Sequence, residues 1–329
     1  MRVISLGSGS SGNALLIEAG PAGRTRLLVD AGLPCRTLIN RLHLVGVSPA
    51  QILAVLLTHE HDDHTLALPT LLKRYDPLVI ADPATLAALS EAPRSLDSGD
   101  GEGSRRPGTD QQTDQLPCLE TQAPDRQKLP VASAERRIVT PSLRRTLALP
   151  AGSSCLLGDI EIISFPVPHD AVAPCGYLLC AGGCRVCVVV DSGSVTLTML
   201  EAMRQADLLI LEANHDRERL LHGPYSYALK MRILSPTGHL SNEQAAQAIL
   251  QTWRADSLRW IWLAHLSQVN NTPQLALSSV QRQLVEAGAA LRQVHLATLP
   301  RAIGPTWDST RLWHDEYWWR GGISSEGNA

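Results

Sequence analysis

Residues 58–64 read THEHDDH and directly follow the apolar run LAVLL at 53–57. His59, His61, Asp62, Asp63 and His64 therefore crowd the end of what that run predicts to be a buried strand. Such a crowd fits a solvated loop, a one-metal site or one part of a two-metal site. In an extended segment, side chains at i and i+2 point the same way, so His59 and His61 can share one ion. Asp63 and His64 fall where the chain turns into the next helix and point elsewhere, towards a second ion. Imidazole and carboxylate donors suit Zn²⁺, Mn²⁺ or Fe²⁺. A single histidine would read as a solvated loop, but H-x-H-x-D-H behind a buried-type strand is far more specific for metal.

Two metals need more ligands than this stretch supplies. His169 in FPVPHDA, Asp191 at the end of RVCVVVDSG and His265 at the end of RWIWLAH share one context, the C-terminal end of a strand or the loop just beyond it. Open sheets place functional groups there. Any one of the three alone reads equally well as a satisfied polar residue at a strand end. Their shared context favours the metal reading.

The rest of the chain shows what carries these ends. Strands are expected at 1–6, 14–19, 26–31, 53–57 and 77–81, with helices at 34–44, 65–74 and 83–91. A β-rich middle follows at 145–149, 160–165, 176–181 and 185–191, with Gly182-Gly183 as a hairpin turn. The last third alternates helices at 195–205, 225–234, 242–254 and 273–287 with strands at 207–213, 259–265 and 293–297. Two β-rich halves with trailing helices predict an α/β sandwich of two mixed sheets with helices on the outer faces. Residues 93–133 lack apolar periodicity and read as a disordered insertion within a single domain of residues 1–320, and 321–329 reads as a frayed tail.

Bulk properties exclude some function classes. The net charge is -3 and hydrophobic residues make up 44% of the chain, so it lacks the basic excess of a non-specific nucleic-acid binder. No apolar run reaches the roughly 18 residues a membrane span needs, and the N-terminus lacks a signal-peptide core, so a cytoplasmic protein with no membrane partner is expected. Seven cysteines are an odd count that fits reduced thiols. Cys175, Cys180, Cys184 and Cys187 invite a structural-zinc reading. Cys184 and Cys187 differ by an odd number, however, and so face opposite sides of one strand, which favours small buried thiols.

H-x-H-x-D-H followed in order by a lone His, a lone Asp and a final His resembles the metallo-β-lactamase superfamily. The resemblance implies an αββα sandwich with a dinuclear site between the sheets. His59, His61 and His169 would hold one metal, Asp63, His64 and His265 the second, and Asp191 would bridge them. LGSGSSGNA, PVPHDA, LEANHD, LKMRILSPTGHLSN and HLSQVNN look like the YycJ/WalJ branch, which is described as DNA exonucleases. The resemblance covers nearly the whole chain except 93–133 and the last dozen residues. It implies hydrolysis of DNA phosphodiesters from the 5′ end by a metal-activated water, with two Zn²⁺ or Mn²⁺ ions and with Asp63 orienting the nucleophile.

Further motifs extend that expectation. Ribonuclease Z relatives carry a Glu placed like Glu212 and paired with a later His. Glu212 is therefore expected to orient His239, which would protonate the leaving oxygen or steady the phosphate. A structural hydrogen bond is the plainer role for His239. His215 either reaches the site or packs. Ser241 to Gln244 has the S-x-x-Q form of a capping box, so a helix N-terminus would open beside His239 and offer Ser241 and Asn242 to a phosphate, with Lys230 and Arg232 upstream. GSGSSGN lacks the lysine of a nucleotide-binding P-loop, and its Ser8, Ser10 and Asn13 are expected to contact phosphate or hold a ligand unless it is a plain hairpin. Arg136, Arg137, Arg144 and Arg145 form a basic cluster that suits nucleic acid or a solvated surface equally.

Two rivals remain from other classes. A hydrolase of small esters, thioesters or phosphoesters uses the same scaffold. A metal-loaded binding protein without turnover would not need all seven ligand candidates.

Overall fold

A computed structural model describes residues 1–91, 143–254 and 257–310. The expected insertion at 93–133, Arg136, Arg137 and the tail at 321–329 lie outside the described residues. The first half runs β1 (Arg2–Gly7), β2 (Ala14–Ala19), β3 (Thr25–Val29), α1 (Cys35–Leu44), β4 (Ala54–Leu56), α2 (Asp62–Thr65), α3 (Leu68–Tyr75), β5 (Leu78–Ala81), α4 (Pro83–Ser90) and β6 (Thr146–Ala148). It continues as β7 (Ser154–Leu157), β8 (Ile160–Pro166), β9 (Cys175–Ala181), β10 (Cys184–Val189), α5 (Leu197–Gln205) and β11 (Leu208–Glu212). The end comprises α6 (Arg217–His222), α7 (Tyr227–Ile233), α8 (Asn242–Gln251), β12 (Arg259–Ala264), α9 (Pro273–Glu286), β13 (Val294–Thr298) and β14 (Thr306–Asp308).

The strands form two seven-stranded mixed sheets, ordered β14-β1-β2-β3-β4-β5-β6 and β13-β12-β11-β10-β9-β8-β7. β3, β4, β5 and β6 are parallel neighbours, as are β10, β11, β12 and β13. Parallel strands covered on both faces read as continuous apolar runs, which is why LAVLL and DLLILEA show little alternation. The period-two geometry is still visible in where side chains go. On β10, Val186 and Val188 enter the core between the sheets, while Cys187 and Val189 pack under α5 and α8. On β1, Val3 faces the inter-sheet core, and Ile4 and Leu6 face the layer of α1 and α3.

The expected αββα sandwich is therefore the fold. Gly182 and Gly183 both take positive φ, 60° and 78°, in the two-residue turn between β9 and β10. The helix expected at 65–74 corresponds to α3, and a separate short helix before it, α2, carries Asp63 and His64. α6, β7 and β14 were not expected. β7 and β14 are short edge strands, too brief for a periodic signal. Cys184 and Cys187 sit in different core layers, and the described cysteines are free thiols. No helix among the described residues is long and apolar enough to cross a membrane.

Candidate metal centre

Five strand ends meet at one rim of the sandwich. β3 stops at Val29, β4 at Leu56, β10 at Val189, β11 at Glu212 and β12 at Ala264, and polar residues begin there. Asp30, Asp191 and His265, each just beyond a strand, have left-handed backbones with φ of 62°, 58° and 54°. For a non-glycine residue this costs about 1–3 kcal/mol and is kept only where surrounding contacts enforce it. The contacts do so here. Asp30 accepts from Thr58 N at 2.9 Å, and His265 N donates to Ser8 Oγ at 2.8 Å. The turn aims each side chain into the gap between the sheets.

His59, His61 and His169 form one donor group whose ligand atoms all lie within 4.8 Å of one another. His59 Nε2 is 3.0 Å from His61 Nδ1. His169 donates from Nδ1 to the Gly238 carbonyl at 3.0 Å, which leaves its Nε2 for the group. Burial, reinforced by the nearby His64 charge, holds the His59 pKa well below the ordinary imidazole value. Burial also lowers that of His169. Both are thus neutral imidazoles, the form that ligates metal.

The second group is more acidic. Asp191 Oδ2 lies 2.6 Å from His64 Nε2 and 3.6 Å from His59 Nε2, so Asp191 stands between the two groups. Asp63 Oδ2 lies 3.6 Å from His64 Nε2 and 3.4 Å from His265 Nε2. Asp191 Oδ1 adjoins His265 Nδ1. Burial opposes charge on His64 and His265, but the neighbouring carboxylates overcome it and hold both pKa values well above the ordinary one. Burial pushes the Asp191 carboxyl up, and His265 and His64 more than reverse that, leaving it well below the usual range.

Two observations test whether divalent cations fit. Asp191 Oδ1 and His265 Nε2 are buried, and their close contacts, to His265 Nδ1 and Asp63 Oδ2, lack hydrogen-bond geometry among the described residues. Buried polar atoms are otherwise almost always paired, so such orphans suit a cation. The donor set is imidazole and carboxylate throughout, which suits divalent cations.

A supporting layer orients these donors. Asp30 Oδ2 accepts from His64 Nδ1 at 2.7 Å. Asp30 was read as the interior of a strand, and only the left-handed turn after Val29 brings it beneath His64. Glu212, fully buried, accepts from Ser192 N at 2.8 Å and Leu240 N at 3.2 Å through one oxygen. Its other oxygen takes His239 Nδ1 at 2.7 Å and His265 Nδ1 at 3.1 Å. Burial raises the Glu212 carboxyl and His239 more than offsets it. Burial works against a charged His239, but Glu212 and Asp191 lift its pKa to about 10. His215 is buried without side-chain partners among the described residues, and burial lowers its pKa to about 4.

The donors open into a cavity of about 250 Å³ whose wall includes Ser10, Asp63, Tyr225, Arg232, His239 and Ser267. Not every residue expected to meet substrate lies in that wall. Ser8 and Asn13 are buried behind it. Ser8 Oγ donates to Asn13 Oδ1 at 3.3 Å, and Asn13 Nδ2 lies 3.2 Å from His64 Nε2. Ser241 caps α8 in the expected capping box with Gln244, and Asn242 bonds Asn271 at 3.2 Å, so both are committed to the helix start. Lys230 donates to the Leu221 carbonyl at 2.8 Å, and Arg232 is paired with Asp170 at 2.5 Å. Arg144 and Arg145 are exposed.

An αββα sandwich with imidazole and carboxylate donors gathered where two sheets end defines a metallohydrolase of the metallo-β-lactamase type. A family model described as "Metallo-beta-lactamase superfamily" matches residues 7–130, and one described as "Beta-lactamase superfamily domain" matches 111–256. The chain is 33% identical over 282 residues to Exodeoxyribonuclease WalJ of Streptococcus pneumoniae serotype 2 (strain D39 / NCTC 7466), covering 86% of this chain and 87% of that protein. It is 30% identical over 283 residues to Exodeoxyribonuclease YycJ of Bacillus anthracis, covering 86% and 89%. The fold also matches the metallo-beta-lactamase fold protein YhfI from Bacillus subtilis, with a TM-score of 0.57 at 16% identity, covering 93% of this chain and 98% of that one. The chain belongs to the metallo-β-lactamase superfamily, in the group that contains WalJ and YycJ.

Proposed function

We propose that this protein is a metal-dependent DNA exonuclease that hydrolyses phosphodiesters from the 5′ end. One observation carries the reading. Seven imidazole and carboxylate side chains gather at one rim of the sandwich, five of them (His61, Asp63, His169, Asp191 and His265) lining one cavity, in a chain whose relatives over 86% of its length are exodeoxyribonucleases. His59, His61 and His169 would hold one divalent cation, Zn²⁺ or Mn²⁺. Asp63, His64 and His265, the two imidazoles deprotonated to the neutral form, would hold the second, with Asp191 between them. Bound there, such cations supply neutralisation of phosphodiester charge and acidification of water. The free thiols support a reducing, cytoplasmic setting.

The chain's own residues supply the rest. Burial raises the Asp63 carboxyl, but the His265 hydrogen bond and the His64 charge bring it below the ordinary range. It is therefore an anion that accepts a hydrogen bond from the attacking water and fixes its direction. His239 is held in one orientation by Glu212 on Nδ1, and the Glu212 carboxylate favours its protonated form. Its Nε2–H gives that proton to the departing sugar oxygen as the P–O bond breaks. Asp170 holds Arg232 at the wall, so Arg232 narrows the cavity there.

The test is end-labelled duplex DNA with purified protein, Mn²⁺ or Zn²⁺ added, and Asp63→Ala in parallel. Metal-dependent release of nucleotides by the wild type alone supports the reading and identifies the attacked end. No cleavage by protein that carries two ions sinks it and favours a small-ester hydrolase.

A further inference from the structure

Three hydrogen-bond donors that the metal centre does not use, Ser10, Tyr225 and Arg301, lie in the cavity wall or next to the loop that carries Ser10. Ser10 and Tyr225 belong to the wall itself. Arg301 comes from the loop between β13 and β14 and lies across Gly9. A Cβ on Gly9 would fall 3.2 Å from Arg301 Nε and 3.6 Å from its Cγ, so a larger residue there would crowd the Arg301 side chain. The loop is pinned in place. Ser8 N donates to the Pro300 carbonyl at 3.1 Å, and Arg41 Nη1 donates to the Arg301 carbonyl at 2.6 Å and the Leu6 carbonyl at 2.5 Å.

The Arg301 side chain differs from the other cations nearby. Arg232 is paired with Asp170 and Lys230 with a carbonyl. The Arg301 guanidinium, half-buried, has no carboxylate or carbonyl partner among the described residues, and the Tyr225 phenol is near enough to interact with it electrostatically. A guanidinium offers donors only, and a phenol and a serine hydroxyl beside it can donate as well. A convergence of donors with no acceptor charge suits an anion, and the planar fork of arginine suits a phosphate above others. The position lies beside Ser10 and Tyr225 rather than among the metal donors. The anion is therefore a second phosphate of the same ligand and not the reacting one.

We propose that Arg301, with Tyr225 and Ser10, forms a phosphate subsite that takes the backbone phosphate next to the scissile one. The subsite makes the enzyme prefer a polynucleotide to a small phosphodiester. It rests on the nuclease reading above, and it names how that reading's substrate is recognised.

The experiment compares metal-loaded wild type with Arg301→Gln, Arg301→Lys and Tyr225→Phe on two substrates. One is a 5′-labelled single-stranded oligonucleotide, and the other is bis(p-nitrophenyl) phosphate, which has no neighbouring phosphate. Arg301→Gln is expected to lower kcat/KM on the oligonucleotide about tenfold, mostly through KM, as loss of one charge-assisted contact does. The slope of log KM against log salt is expected to fall by about 0.7, the value for one single-strand phosphate contact. Arg301→Lys should restore the slope and only part of the KM, and Tyr225→Phe should raise KM less than Arg301→Gln. An equal loss on both substrates, or an unchanged KM and salt slope, overturns the subsite while the nuclease reading stands. A wild type that turns over the small phosphodiester but not the oligonucleotide overturns both.

Discussion

Glu212 holds His239 through a 2.7 Å hydrogen bond from Nδ1 to Oε1, and the same oxygen reaches His265 Nδ1 at 3.1 Å. One buried carboxylate thus serves both the proposed proton donor and a proposed metal ligand. The two partners can be separated by mutation. His239→Ala is expected to lower kcat about 10²–10⁴-fold, the usual worth of a positioned acid, while both metals stay bound. Glu212→Gln is expected to lower kcat and also to weaken metal binding, because His265 loses one of the two carboxylates that orient its Nδ1. Metal content by mass spectrometry beside single-turnover rates decides it. Full turnover of His239→Ala with normal metal content would remove His239 from the mechanism.

Asp30 meets the proposed metal ligand His64 and is absent from the cavity wall. Its carboxylate takes His64 Nδ1 at 2.7 Å and Thr58 N at 2.9 Å. Asn tolerates the left-handed backbone at this position, so Asp30→Asn isolates the charge from the fold. Supporting partners of a ligating histidine are generally worth 10–100-fold in affinity. Asp30→Asn is therefore expected to weaken binding of one of two ions by about that factor and leave the other unchanged. Isothermal titration of metal-stripped protein reads this as two unequal steps where the wild type has two closer ones. A uniform loss at both sites would deny the selective role.

Gly32 sets the distance between the β3 end and α2. A Cβ built there would overlap the Asp63 carbonyl and meet the His64 nitrogen. The same backbone is locked by hydrogen bonds from Asn13 N to Asp63 O at 2.8 Å and from Ala31 N to His64 O at 2.7 Å. Gly32→Ala must push α2 outward, and overpacking of this kind costs about 1–3 kcal/mol. The expected result is a lower thermal midpoint and a metal content nearer one ion per chain than two. Unchanged stability with two ions bound would show that α2 shifts without consequence.

The contrast between these residues shows what a sequence can reveal. THEHDDH, His169, Asp191 and His265 were legible because each ends an apolar run, and strand ends are where α/β sheets gather polar groups. Asp30 ends such a run as well, in RLLVDA, but its neighbours in the motif are 28 to 34 positions away and nothing local pairs them. Ser8, Asn13, Ser241 and Asn242 carried the right chemistry for phosphate. The contacts of Ser8, Asn13 and Asn242 with His265, His64 and Asn271 arise only from tertiary packing, and together with the local Ser241–Gln244 cap they turn these residues towards the frame. α6, with a single buried residue, Leu220, offered too little periodicity to be seen. Arg301 had no motif around it, since its place beside the Gly/Ser loop depends on a loop 290 residues further along the chain.

At the far end of β3 from Asp30, two turns interlock across the sheets. Arg24 donates to Asp159 through Nε at 2.8 Å and Nη2 at 2.6 Å, and Thr25 Oγ1 donates to the same carboxylate at 2.6 Å. A side chain at Gly20 would strike that carboxylate, and one at Gly158 would strike Thr25. The Arg24 hydrogen bond, then that of Thr25, depresses the Asp159 pKa to about 2, below the roughly 3.9 of an unfolded aspartate. A depressed carboxylate contributes stability above its unfolded pKa and loses it as pH falls through the folded one. Asp159→Asn is therefore expected to melt below the wild type at neutral pH, with the two midpoints converging between about pH 4 and pH 2. The position is remote from the metal donors, so the comparison is made on metal-stripped protein, where metal loss cannot imitate the effect. Midpoints separated by a constant gap down to the acid limit would show that Asp159 holds the turns by shape alone.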